Sequence, residues 1–194
     1  MFEAGGSLYL FDVATEKSKR VEIQIISDKK AMIPKIVNVE SDLLSASISL
    51  DGNRVIANAR GEIFNLPAKK GFVSNLTNTS GVAERYSEIA FDGKKIAYWS
   101  DATGEYQLTI ETLGTDPQTK TLTKFIDGLG YSIYWSPDSK KIVSVNQAME
   151  VMLIDATSGA VSSIDQGKYM FEGNLQAFAV TWSPDSRHIA YGLS

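Results

Sequence analysis

Cysteine is missing altogether, and histidine occurs once in 194 residues. The first absence removes disulfides, thiolate metal sites and cysteine nucleophiles. The second leaves His188 as the one imidazole through which a Ser-His-Asp triad would have to run. A metal centre with one His and no Cys is short of ligands in the same way. His188 stands between Arg187 and Ile189 at the head of a repeated strand. Its equivalents read as Lys141, Lys95 and Val55, so the expectation is a partly exposed strand residue. A basic excess is missing too. Lys and Arg number 19 against 23 Asp and Glu, a net charge of −4, with no basic block. The electrostatic footprint of a nucleic-acid binder is therefore lacking. No apolar run approaches the ~18 residues of a membrane span. Met1-Phe2-Glu3-Ala4-Gly5-Gly6 lacks the basic and apolar regions of a signal peptide. Nucleic acid and membrane are accordingly not expected partners, and no cofactor is expected. Hydrophobic residues make up 43% and charged residues 22%, as in a soluble globular domain.

What the chain does have is a repeat. Trp135-Ser136-Pro137-Asp138-Ser139-Lys140-Lys141-Ile142-Val143 returns as Trp182-Ser183-Pro184-Asp185-Ser186-Arg187-His188-Ile189-Ala190. Looser copies are Ile89-Ala90-Phe91-Asp92-Gly93-Lys94-Lys95-Ile96-Ala97 and Ile48-Ser49-Leu50-Asp51-Gly52-Asn53-Arg54-Val55-Ile56. Each reads as a β-hairpin: an inner strand, a turn, then an apolar return strand. Pro pre-sets φ for a type I turn, Asp hydrogen-bonds the turn backbone, and Gly takes positive φ in the two copies without Pro. The turn aspartates recur at intervals of 41, 46 and 47 residues. That period, carried by short strands with no helical pattern, predicts an all-β chain of β-propeller blades.

The strands fall into a half blade over 1–30, blades at about 36–80, 84–124 and 131–168, and a half blade over 176–194. The N-terminal segment supplies two outer strands, the second running from Val21 to Ile26. Asp12-Val13-Ala14-Thr15 resembles Asp155-Ala156-Thr157-Ser158-Gly159, which puts it in phase with the third strand of a blade. This makes about four blades' worth of four-stranded sheets. They are expected to form a slice of a larger ring, whose open ends favour assembly.

Two stretches are more specific. One is Arg60-Gly61-Glu62-Ile63-Phe64-Asn65-Leu66-Pro67-Ala68 with Asn75 to Tyr86 behind it; the other is Ile96 to Asp101 with Gly104-Glu105-Tyr106. They resemble the large, non-catalytic, seven-bladed propeller of tricorn proteases, and the resemblance extends along essentially the whole chain. The Ser-Pro-Asp-Ser turns are shared with many propellers, including TolB-like ones. The resemblance implies a segment of a large cytoplasmic serine peptidase that trims oligopeptides and assembles as a homo-oligomer. In it the large propeller filters peptides on their way to the catalytic chamber. The partners implied are oligopeptides and the remaining domains of the parent peptidase. No catalytic residue of the active-site domains is expected in this chain. The alternative is a stand-alone TolB-like scaffold for protein–protein contacts.

Arg85, at the entry of an inner strand in Glu84-Arg85-Tyr86, has two readings. It lines the channel mouth and attracts peptide carboxylates, for which a guanidinium fork is suited, or it fixes a neighbouring loop. Arg60, at a hairpin, likewise contacts a ligand or a neighbouring blade. Asp101 and Glu105 offer too few oxygens for a Ca²⁺ loop. Trp99, Trp135 and Trp182 with Phe91, Tyr98, Tyr134 and Tyr191 are expected to pack between blades.

Overall fold

A computed structural model describes residues 1–4, 7–23, 37–126, 128–167 and 178–192. The chain divides into two compact units, Met1–Val37 and Asn38–Ser194. It is all-β: the described residues form strands with a single 3-10 turn at Glu40–Asp42 and no α-helix. No helix among them is long and apolar enough to cross a membrane.

The first unit holds three strands rather than the two expected: β1 (Phe2–Ala4), β2 (Ser7–Asp12) and β3 (Lys17–Val21), all antiparallel. The carboxylate of Asp12 accepts the N–H groups of Ala14 and Thr15 at 2.8 and 3.1 Å. Asp155 makes the same turn with Thr157 and Ser158. This tight turn pairs Asp12 with Lys17, so the return strand starts earlier than the alternation of Val21, Ile23 and Ile25 suggested. Of the expected strand, Glu22 and Ile23 fall beyond β3, and residues 24–26 lie outside the described residues.

The second unit contains three four-stranded meanders and a two-stranded sheet. The first meander is β4 (Leu43–Ile48), β5 (Arg54–Ala59), β6 (Glu62–Pro67) and β7 (Ser74–Asn75). The second is β8 (Glu84–Ile89), β9 (Lys95–Ser100), β10 (Gln107–Thr112) and β11 (Thr119–Thr121). The third is β12 (Gly130–Trp135), β13 (Lys141–Asn146), β14 (Glu150–Asp155) and β15 (Val161–Gln166). The last sheet is β16 (Val180–Trp182) with β17 (Ile189–Tyr191). Of the expected final strands, residues 176, 177 and 193 lie outside the described residues.

Why these runs fold so follows from where each blade faces. A middle strand has a neighbouring blade on both sides, so Ile96-Ala97-Tyr98-Trp99-Ser100 is buried throughout and shows no apolar-polar alternation. The fourth strands β11 and β15 are exposed along their whole length, as Lys120, Ser162 and Asp165 allow. The core therefore lies in layers between blades. Ile56, Ile63, Ile89, Ile96 and Tyr98 form one. Trp99, Leu108, Ile110, Ile133, Trp135, Ile142 and Ile154 belong to the next, and Val143, Val145, Val151, Phe178 and Val180 to the third. Each fully buried Ile or Leu is worth roughly 1.5–3 kcal/mol.

The repeated turn locks the blades to one another. Within it, the hydroxyl of Ser49, Ser136 or Ser183 donates to Asp51, Asp138 or Asp185 at 2.6 Å. The same oxygen accepts the N–H of Arg54, Lys141 or His188. Arg54, and not Val55, is thus the equivalent of His188 in the first copy. These hydrogen bonds hold the exposed carboxylates below their usual range, Asp51 at about 2, the serine hydroxyl being the largest cause. Between blades, the Trp135 and Trp182 indoles donate to the carbonyls of Glu88 and Tyr134 on the preceding inner strand, at 3.1 and 3.2 Å.

Candidate functional site

The first strand of each sheet, β4, β8, β12 and β16, is its inner edge. A cavity of about 760 Å³ is lined by these four strands and the turns that follow them. Its wall is largely apolar, from Ile48, Leu50, Phe91, Trp135, Pro137 and Trp182. Ile48, Leu50 and Phe91 are exposed, at 68%, 76% and 43%.

A backbone irregularity lies in the inner strand β8 beside this cavity. The β8–β9 register shifts between Arg85 and Glu88, and Tyr86 there has φ 53°, the left-handed region that L-residues seldom adopt. A bulge re-aims side chains, and here Ser87 and Glu88, adjacent in sequence, both line the cavity. The Glu88 carboxylate accepts the Ser47 hydroxyl at 2.7 Å, and Ser47 Oγ accepts the Ile89 N–H at 3.1 Å. No cation of the described residues pairs with Glu88. Burial pushes its carboxyl up to about 7 against the opposing Ser47 hydrogen bond. Ser45 and Ser87 also line the cavity, and their buried hydroxyl oxygens have no hydrogen-bond partner.

A second cavity, of about 420 Å³, lies at the beginning of β4 and β8. Both arginines singled out in the sequence line it, with Asp42, Asn58 and Glu84. The Arg85 guanidinium sits 5.5 Å from the centre of the Tyr106 ring, a cation–π distance that fixes its position. Arg60 lies 3.7 Å from Asp42, and both side chains are well exposed. Glu84 is buried. Its Oε1 accepts the Thr79 hydroxyl at 2.7 Å and its Oε2 has no partner, nor does Asn58 Oδ1. Burial raises the Glu84 carboxyl.

Other sequence candidates resolve into turns and core, except Phe91, which was expected between blades and is exposed on the cavity wall. Ser183, Asp185 and His188 do come together, but the Ser183 hydroxyl meets the backbone of His188, not its ring. The identical hydrogen bonds around Ser136 and Lys141 mark this as turn architecture rather than a triad. Asp101 Oδ1 accepts the Ala83 N–H at 2.7 Å and shapes a loop. No group of three or more His, Cys, Asp or Glu among the described residues is placed to hold a metal. Trp99 and Trp135 are buried between blades. Glu88 and its serines were missed. The available signal was a carboxylate in the middle of an inner strand, within Tyr86-Ser87-Glu88-Ile89.

No family model matches the chain. It is 25% identical over 193 residues to a tricorn protease homolog of Saccharolobus solfataricus, and 26% identical over 196 residues to the tricorn protease of Thermoplasma acidophilum. Each match takes in the whole chain and 17% of the relative's length, so the chain spans about a sixth of these curated relatives. Among solved structures, the tricorn protease superposes with a TM-score of 0.65 at 22% identity, over 97% of this chain and 17% of that one. TolB from Acinetobacter baumannii gives 0.58 at 21% identity, over 94% of this chain and 42% of that one. The chain is thus similar along its length to a segment of tricorn proteases, and the fold is that of β-propeller blades.

Proposed function

We propose that this chain is a non-catalytic propeller segment of a tricorn-like serine peptidase and that it filters oligopeptides on their way to a catalytic chamber elsewhere in the protein. The observation that carries the reading is the cavity of about 760 Å³ lined by the inner strands of four successive sheets. That volume suits a ligand of a few residues and is far too small for a folded domain. Its apolar wall and the unpaired edges of the inner strands suit an extended peptide, which brings its own backbone donors and acceptors. Arg85, held over Tyr106, and Arg60 are the proposed contacts for peptide carboxylates in the smaller cavity. The cytoplasm, and a homo-oligomer containing the remaining peptidase domains, are the proposed setting.

The test is equilibrium binding by calorimetry, with a hydrolysis control. An unstructured short peptide should bind, a folded domain should not, and fluorogenic peptides should stay intact. Tight capture of the folded domain with no peptide binding would replace the filter with a TolB-like scaffold. Turnover that tracks this chain through purification would overturn its non-catalytic status.

A further inference from the structure

We infer that the inner-strand cavity selects among oligopeptides by side chain: it takes a bulky apolar residue against Leu50 and Phe91 and turns away a carboxylate through the lone charge of Glu88. The inference deepens the peptide-filter reading and rests on it. Three observations carry it. Each inner strand ends in the same hydrogen-bonded turn, in which Gly52, Gly93, Ser139 and Ser186 donate their N–H groups to the carbonyls of Ser49, Ala90, Ser136 and Ser183 at 2.8 to 2.9 Å. The second residue of that turn is Leu50, Phe91, Pro137 or Pro184, and all four line the cavity, so the wall repeats an apolar side chain from blade to blade. Second, proline is favoured at this position by the turn itself, whereas leucine and phenylalanine are not among the usual turn residues. Leu50 and Phe91 are nonetheless 76% and 43% exposed, so neither the turn nor full burial within the chain accounts for them. Third, Glu88 is the one charged residue lining the cavity; no lysine, arginine, histidine or aspartate joins it.

An apolar side chain laid against Leu50 and Phe91 removes both surfaces from water together with its own. Partial burial of this kind is worth roughly tenfold in affinity. A carboxylate brought to the same wall gives up its water, meets no cation and faces a like charge. The cavity is on the order of one Debye length (~10 Å) across, so Glu88 acts throughout it without direct contact. The groups packed around Glu88 leave its charge unanswered. Ser47 from β4 donates to it at 2.7 Å, Ala97 is its partner on β9, and Tyr134 from β12 donates its hydroxyl to the Phe178 carbonyl. An uncharged amide loses its water but meets no repulsion, so glutamine ranks between leucine and glutamate.

The experiment titrates three short peptides calorimetrically into the whole chain at pH 8, where Glu88 is largely ionised. They differ only in a central Leu, Gln or Glu, and acetylated and amidated ends remove the terminal charges. The Leu peptide should bind roughly tenfold more tightly than the Gln peptide, and the Gln peptide several-fold more tightly than the Glu peptide. In Leu50→Ser and in Phe91→Ser the preference for Leu over Gln should shrink several-fold. Phe72→Ser is the control: Phe72 is 94% exposed but does not line the cavity, so the preference should stay. In E88Q the preference for Gln over Glu should shrink while that for Leu over Gln remains. Circular dichroism confirms the fold of each variant. Equal binding of all three peptides to the unaltered chain overturns the selection and leaves the filter reading standing. So does a Leu preference that Phe72→Ser weakens as much as Leu50→Ser, or a Gln-over-Glu preference that E88Q leaves intact. Failure of every peptide to bind overturns the filter reading, and the selection with it.

Discussion

The backbone N–H of Asp92 donates to the hydroxyl of Ser139, 47 residues later, at 3.0 Å. One blade's turn is thereby tied to the next, and Asp138 repeats the bond to Ser186. Ser139 and Ser186 hold φ of 57° and 60°, in the left-handed region that Gly52 and Gly93 occupy at the same turn position with 67° and 66°. At positions 139 and 186, therefore, the chain accepts backbone strain and gains an inter-blade hydrogen bond. Ser139→Ala keeps the strain and loses the bond, at a cost of about 1–2 kcal/mol. Ser139→Gly loses the bond and relieves the strain, so it should be milder by about 1 kcal/mol. Urea unfolding midpoints at unchanged m-value measure the difference. Equal midpoints for the two variants would remove the trade.

The turns, the meander and the all-β class were legible because they rest on local chemistry: Pro, Asp and Gly at fixed offsets before Ile142, Ile189 and Ile96. The role of Ser139 was not, since its acceptor oxygen serves an N–H in another blade. The N-terminal strand Phe2–Ala4 went unseen because three residues carry no periodicity, and β3 was misplaced because the Asp12 turn overrides the alternation that follows it. Arg60 and Arg85 were found separately in sequence, and only the fold brings them to one cavity. Glu88 was passed over because its burial and its contact with Ser47 depend on the packing of β8 against β4, which no local pattern shows.

Glu88 also predicts an unusual pH dependence. Its carboxyl rises from 4.5 to about 7 on folding, so the folded chain holds a proton that the unfolded chain has released across that window. Stability from this group is fully present below pH 4.5 and is lost as pH rises toward 7. The shift amounts to at most about 3 kcal/mol. Glu84 and Glu111, raised mainly by burial, act in the same direction. Asp51, Asp138 and Asp185 act oppositely: their stabilisation is present above 3.8 and disappears in acid. Thermal unfolding followed from pH 3 to 8 should therefore peak near the boundary between the two sets. E88Q should flatten the descending side; an unchanged slope would mean that Glu88 is ionised throughout.

Gly130 begins β12 directly beneath the Trp99 indole, whose Nε1–H donates to the Tyr131 carbonyl at 2.8 Å. A Cβ at position 130 would overlap the six-membered part of that ring. Trp99 is 1% exposed, so its ring is enclosed by protein. Gly130→Ala should destabilise by about 1–3 kcal/mol through overpacking. The cost should be smaller in a Trp99→Phe background, where the ring is shorter. A double-mutant cycle in urea reads the coupling, and strict additivity would show that the two residues do not meet.

Arg85 gives a prediction that separates its two readings. If its guanidinium serves peptide carboxylates, Arg85→Ala should weaken a free-acid peptide by roughly three- to tenfold and leave the C-terminally amidated twin unaffected. The effect should fade with added salt, because the cavity is open to solvent and exposed charges are screened within ~8 Å at physiological ionic strength. Tyr106→Leu removes the ring that steadies the guanidinium without removing its charge, so it should produce a smaller loss with the same dependence on the carboxylate. If Arg85 instead only fixes the Tyr106 loop, both variants should lower the unfolding midpoint by a similar amount, and the two peptides should be affected equally. Calorimetric titration of both peptides at two salt concentrations, beside thermal melts of the same samples, distinguishes these outcomes: carboxylate dependence without a shared loss of stability assigns Arg85 to the ligand.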